Sequence, residues 1–271
     1  MVYETITYEV DGRVAIITLN RPQRLNAISL ALRDEVVDAV AKADKDGEVR
    51  VVIMTGAGGK AFSAGYDIKE SAERPKRSLE EWRERLAGDC AFTYSVWNCS
   101  KPVIAMIDGF CLAGALEFAQ MCDVRYCSDD ASFGVVETRF SSGIATLIMP
   151  WVIGARCREL IFTGDKIDAQ EALRIGLVNR VFPKADLRAE TLKIARRMSQ
   201  VALACLQWNK RAINNLYETQ GFNAAMRYGV EACSIMDASE TPEYQKFDEI
   251  RRAKGLNEAL RWRDSQFAAY E

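Results

Sequence analysis

Lys101-Pro102-Val103-Ile104-Ala105-Met106-Ile107-Asp108-Gly109-Phe110-Cys111-Leu112-Ala113-Gly114-Ala115-Leu116-Glu117 decides the fold class. Its first half is a short apolar run that reads as a buried strand, ended by Gly109. Its second half places the small residues Ala113-Gly114-Ala115 where the chain enters an apolar helix. The same order occurs upstream. Arg50–Thr55 (RVVIMT) is another short buried strand, followed by Gly56–Gly59 and then Lys60-Ala61-Phe62-Ser63-Ala64-Gly65-Tyr66-Asp67. VAIITL (14–19), DVRYCS (123–128) and VNRVF (178–182) complete a series of strands separated by helical stretches. This alternation predicts an α/β architecture of stacked turns of strand and helix.

At the N-terminal side, Asp11-Gly12 before Val14–Leu19 predicts a hairpin. Ser29 is placed to cap a helix in which Leu32, Val36, Val37 and Val40 recur. Ser78 and Glu81 have the spacing of a capping box at a second helix start. From about Leu187 the pattern is helical throughout. Arg196-Arg197, Lys210-Arg211 and Arg251-Arg252 are expected on faces that meet solvent or a partner subunit. We expect a core domain over 1–190 and a helical C-terminal region over 191–271.

Composition narrows the chemistry. The 271 residues are 49% hydrophobic and 27% charged, with a net charge of −2 and no basic tract, which recommends neither nucleic acid nor an anionic membrane as partner. Residues 1–12 lack the charged and apolar regions of a secretory signal, so a cytoplasmic protein is expected. The longest apolar run, near Gly143–Gly154, is about 12 residues and too short to span a bilayer. Eight cysteines without C-x-x-C pairs read as reduced, mostly buried thiols. The chain contains no histidine. Imidazole-based triads, His-ligated zinc and imidazole acid–base catalysis are therefore excluded.

Proton chemistry near neutral pH then falls to carboxylates, Lys, Tyr or Cys. Glu117 stands among Leu116, Phe118, Ala119 and Met121, in a helix that looks buried on most faces. Glu137 follows the apolar Phe133-Gly134-Val135-Val136. A buried carboxylate is costly unless paired, and its pKa tends to rise. Two in one dry pocket can divide acid and base roles. The alternative is structural: each Glu pairs with an arginine such as Arg125 or Arg139. The two small-residue turns could present backbone N–H groups to a ligand, or could be turns and nothing more.

Taken together, Arg21-Pro22…Leu25-Asn26-Ala27, Ala61–Asp67, Lys101–Ala105, Gly109, Gly114, Glu117, Cys122-Asp123, Phe133-Gly134…Glu137 and Thr163-Gly164…Gly176-Leu177-Val178 resemble the crotonase (enoyl-CoA hydratase/isomerase) family in order and spacing. The resemblance covers about residues 10–185. It implies a spiral of repeated ββα units with a C-terminal helical trimerisation region, assembled as trimers or as hexamers built from two trimers. It implies an acyl-CoA substrate, no metal and no cofactor beyond the coenzyme A of the substrate itself. By position, the amides of Tyr66 and Gly114 correspond to an oxyanion hole, and Glu117 and Glu137 to the hydratase acid–base pair. Ala64, Tyr66, Asp67, Ile68 and Lys69 correspond to the CoA groove, with Arg24 a partner for the nucleotide phosphates.

The expected activity is reversible addition of water across the 2,3 double bond of an enoyl-CoA. Three departures from the family pattern bear on it. Ala113-Gly114-Ala115 replaces three glycines, Val136 replaces a proline, and Thr138–Pro150 is shorter than the glycine-rich loop usual there. They keep open an isomerase, an acyl-CoA hydrolase, a C–C lyase or a non-catalytic acyl-CoA-binding protein. Tyr66 is bulkier than the residue usual at its position, and its ring either restricts the acyl pocket or packs.

Overall fold

The computed structural model describes residues 2–72, 77–239 and 241–270. β1 (Ile6–Asp11) and β2 (Val14–Leu19) form the expected antiparallel hairpin. Ser29 caps α1 (Leu30–Lys45) by accepting from the Leu32 amide. β3 (Val51–Gly56) and β4 (Ala61–Ser63) lead into α2 (Ile68–Ala72) and α3 (Leu79–Asn98), which starts at the Ser78–Glu81 capping box. The unit recurs as β5 (Val103–Ile107), β6 (Phe110–Leu112) and α4 (Gly114–Met121), then as β7 (Val124–Ser128), β8 (Ser132–Gly134) and a 3-10 turn at Val136–Phe140. α5 (Met149–Ile153), α6 (Cys157–Thr163), β9 (Lys166–Asp168), α7 (Ala169–Arg174) and β10 (Arg180–Phe182) follow. The rest is helical: α8 (Leu187–Met198), α9 (Leu203–Thr219), α10 (Phe222–Ser239), α11 (Pro242–Lys254) and α12 (Leu256–Ser265).

Each unit contributes one strand to each of two sheets. The larger has the order β1-β2-β3-β5-β7-β10 and is parallel apart from β1. The smaller has the order β4-β6-β8-β9, with β4, β6 and β8 parallel. This is the expected α/β spiral. The large sheet is covered on both faces, which is why its strands are continuous apolar runs rather than alternating ones. Ala15, Ile17, Val52, Met54, Val103 and Ala105 belong to the main core with α1, α3 and α4. Val14, Ile16, Val51, Ile53 and Ile104 pack with Leu187, Ile194 and Ala195 of α8.

Two expectations require correction. Leu32, Val36 and Val40 are buried, but Val37 is 36% exposed, because it lies about 100° around α1 from Val36. Lys210 does not face solvent or a partner. Its ammonium is buried, donating to the carbonyls of Val96 and Lys101 and pairing with Asp123 at 2.8 Å. Asp123 in turn accepts from the Val103 amide at 2.7 Å, so Lys210 fastens α9 to the start of β5. Arg196, by contrast, is exposed and reaches Asp11 at 2.6 Å.

Seven cysteines are buried free thiols, and Cys205 is exposed. Among the described residues no helix is long and apolar enough to cross a membrane.

Removing the buried ammonium strands Asp123 and two carbonyls. We expect Lys210→Ala to destabilise the fold by about 3 kcal/mol, read from urea denaturation. A loss near the ordinary surface value of about 0.5 kcal/mol would show that the Lys210 pair is not structural.

Candidate active site

Because β4, β6 and β8 are parallel, their C-terminal ends open on one edge of the small sheet. Ala64–Tyr66 follows β4, Ala113–Glu117 follows β6, and Glu137 follows β8. Three stretches remote in sequence thus converge.

The two turns are locked to their neighbours. The Ala113 amide donates to the Gly134 carbonyl at 2.9 Å, joining the start of α4 to the end of β8. Ala113 has φ 52° and ψ −135°, a strained conformation for an L-residue with a side chain. On the other side, the Ile28 amide donates to Gly65 O and the Asp67 amide donates to Ile28 O. This parallel bridge aims the Tyr66 amide away from Ile28. Among the described residues neither the Tyr66 nor the Gly114 amide has an acceptor. The turns touch: a Cβ added to Gly65 would lie 3.6 Å from the Gly114 nitrogen. A Cβ on Gly114 would lie 2.3 Å from Tyr66 Cε2, so the Tyr66 ring packs directly on Gly114 and only glycine fits beneath it.

Glu117 and Glu137 enter the same cavity, of about 300 Å³, together with Ala64, Tyr66, Ile68 and Gly114. Glu117 accepts the Thr146 amide at 2.6 Å. Burial pushes its pKa up, against the pull of that bond. Burial raises Glu137 further, reinforced by the charge of Glu117 and a hydrogen bond between the two carboxyls. Glu137 Oε2 is buried without a hydrogen-bond partner among the described residues. Among the described residues neither glutamate pairs with an arginine. Arg125 donates to the carbonyls of Gln120, Cys122 and Leu177, and Arg139 pairs with Asp165 at 2.5 Å. The structural alternative for the two carboxyls is thereby overturned. Such a pair, one protonated and one ionised, can hold a water and both take and give a proton.

Arg24, Asp67 and Lys69 adjoin the cavity without lining it. Asp67 is bridged by Arg21 at 2.9 Å and Arg24 at 3.2 Å, and it accepts the Lys69 amide at the start of α2.

Sequence reasoning did not single out Thr146, nor Asp237 on α10. Asp237 lines the same cavity, accepts from Ser142 Oγ at 2.8 Å, and burial pushes its pKa up to about 6. Its signal was available: an acid after Ile235-Met236, the same anomaly that marks Glu117. The loop containing Ser142 and Thr146 lies flat on α10, where a Cβ on Gly143 would come within 2.9 Å of Cys233 Cα.

Residues 9–242 match the family model described as enoyl-CoA hydratase/isomerase. The chain belongs to that family. A crystal structure of an enoyl-CoA hydratase/isomerase from Xanthobacter autotrophicus superposes with a TM-score of 0.95 at 38% identity, covering 98% of this chain and 99% of that one. A "Probable enoyl-CoA hydratase" of Mycobacterium bovis is 38% identical over 230 residues, 81% of this chain and 84% of its own. A "Short-chain-enoyl-CoA hydratase" of Clostridium acetobutylicum is 36% identical over 218 residues, 79% of this chain and 82% of its own. In this member of the enoyl-CoA hydratase/isomerase family, the Thr138–Pro150 loop places a donor, the Thr146 amide, on Glu117.

Relieving the strain at Ala113 gives a test of the turn. Ala113→Gly should raise the unfolding free energy by about 1 kcal/mol, because released strain exceeds the added chain entropy. A decrease in the urea midpoint would mean that the Ala113 methyl contributes more by packing than the backbone loses by strain.

Proposed function

We infer that the protein hydrates 2-enoyl-CoA thioesters reversibly. The observation that carries this reading is the pair of buried carboxyls, Glu117 and Glu137, sharing one cavity with the adjacent amides of Tyr66 and Gly114. Attack of water at C3 moves electrons onto the thioester oxygen, which the two N–H groups receive. Preorganised donors of this kind are each worth roughly 100- to 1000-fold in rate. One carboxylate takes a proton from the water as its oxygen bonds to C3, and the other carboxyl delivers a proton to C2. The product is the 3-hydroxyacyl thioester, and the reverse path is dehydration. The acyl-CoA substrate itself brings the coenzyme A. Its pantetheine follows Ala64–Lys69, and Arg24 meets its phosphates.

Burial and mutual repulsion explain how two glutamates manage this near neutrality. Together they hold a proton that exposed carboxyls would have lost. The reading extends to assembly. We assign 1–190 as the core and 191–271 as the region that joins copies into a cytosolic trimer or a hexamer. Trp208 (65% exposed), Ile213 and Leu216 on α9 and Tyr228 on α10 supply apolar surface for such contacts.

Purified protein should deplete the enoyl absorbance of crotonyl-CoA and place label from oxygen-18 water at C3. Glu137→Gln should lower kcat by about 1000-fold at unchanged fold. Retained turnover in that variant, or label released in a free acid, would refute the hydratase assignment.

The pH dependence has a defined sign. Falling pH protonates the base and rising pH strips the acid, so kcat/KM is bell-shaped. Because both pKa values are raised, the acid limb should lie well above the ordinary Glu value of about 4.3. An acid limb at that ordinary value would show that the active carboxyls are solvated.

A further inference from the structure

Beyond the reacting end, the cavity wall formed by α3 is not the plain apolar surface that an alkyl chain would need. Trp82, Arg85, Leu86 and Asp89 fall at helical spacing and all line it. Arg85 is a partly buried charge there, its side chain 13% exposed. Its Nε lies 3.1 Å from Asp89 Oδ2. The other oxygen of Asp89 is taken by Arg33 Nη1 at 3.3 Å. A single 5%-exposed carboxylate is therefore divided between two guanidiniums. Arg33 also reaches Asp34, which is 69% exposed and outside the cavity, where solvent screens it. Within the Arg33–Asp89–Arg85 cluster two guanidiniums share one carboxylate, while the rest of the cavity is lined by Arg77, Arg251 and Arg252 and by Glu117, Glu137, Asp237 and Asp248.

The arrangement is built. The guanidinium of Arg33 lies across α3 at Gly88, where a Cβ would come within 2.7 Å of its Nη1. Arg85 presents Nε to Asp89, and among the described residues its two terminal NH2 groups have no acceptor. Its Cζ stands 5.9 Å from the centroid of the Tyr66 ring, the ring that packs on Gly114. Arg85 is thus one aromatic ring away from the turn that receives the thioester oxygen in the proposed reaction.

We propose that the acyl pocket selects short acyl groups that end in a carboxylate, with Arg85 holding that carboxylate through its free NH2 fork. A planar fork with two parallel N–H groups matches a carboxylate and gains from desolvation, whereas a methyl terminus would leave the two terminal NH2 groups of Arg85 without an acceptor. The short span across Tyr66 limits the acyl group to a few carbons beyond the thioester. Tyr66 forms the wall between the reacting end and the anchoring end. Its bulk restricts the pocket in width while its ring packs.

The proposal rests on the acyl-CoA reading above, and binding separates it from turnover. Glutaryl-CoA and valeryl-CoA have the same chain length and differ in the terminal carboxylate. Neither has a double bond to hydrate. Calorimetry with the intact protein should show glutaryl-CoA binding at least tenfold more tightly, and Arg85→Gln should reduce that ratio below threefold, with partial recovery in Arg85→Lys. In turnover, glutaconyl-CoA should exceed 2-pentenoyl-CoA in kcat/KM by a similar factor. Equal or reversed affinities for the two saturated thioesters in the wild type overturn the proposal, even if Arg85→Gln does not fold. A preference in binding with no turnover of either enoyl thioester supports the carboxylate anchor and overturns the hydratase assignment instead.

Discussion

The hydrogen bond from the Ala113 amide to the Gly134 carbonyl, at 2.9 Å, holds the reacting end together. It joins the end of one three-residue strand to the end of the next. As a result, the helix carrying Glu117 and the turn carrying Glu137 keep a constant separation. Beside this bond Ala113 adopts a positive φ, which costs on the order of 1–3 kcal/mol. That cost is tolerable because everything around it is dense. The ring of Tyr66 covers Gly114, the bridge from Ile28 holds Gly65, and α10 presses on the loop that supplies the Thr146 amide.

Two buried carboxyls so close together would ordinarily be a liability. Three features limit it here. The Thr146 amide gives Glu117 one strong donor, the raised pKa values let the pair retain a proton, and Ser142 donates to Asp237, the third acid, whose charge also raises Glu137. The same physical terms that penalise the folded state would poise the pair for proton transfer in the proposed reaction. Stability and chemistry are coupled at these positions through desolvation.

Much of the fold was legible from residues because the large sheet is buried on both faces, so each of its strands is an uninterrupted apolar run. The small sheet was not legible from pattern. Ala61–Ser63, Phe110–Leu112, Ser132–Gly134 and Lys166–Asp168 are too short to show alternation, although they position the site. Glu117 and Glu137 stood out as acids in apolar surroundings. Asp237 carried the same signal after Ile235-Met236, whereas the Arg33–Asp89–Arg85 cluster did not stand out, because α1 and α3 are charged on other faces and only tertiary packing distinguishes an inward charge from a solvated one. Lys210 was misjudged for the same reason: its partner Asp123 lies 87 positions away.

Trp97 at the end of α3 stacks on Phe222 at the start of α10, with centroids 4.4 Å apart and planes inclined by 14°. Trp151 and Tyr217 close around the same ring. Both helices line the cavity, and they are also joined along their length by the Tyr94–Asn223 hydrogen bond, the packing of Leu86 and Cys90 with Cys233, and the Arg83–Glu231 pair. A truncation there would leave Glu117 and Glu137 in place yet loosen that end of the helix pair. The enzyme would then lose discrimination between acyl groups before it lost speed.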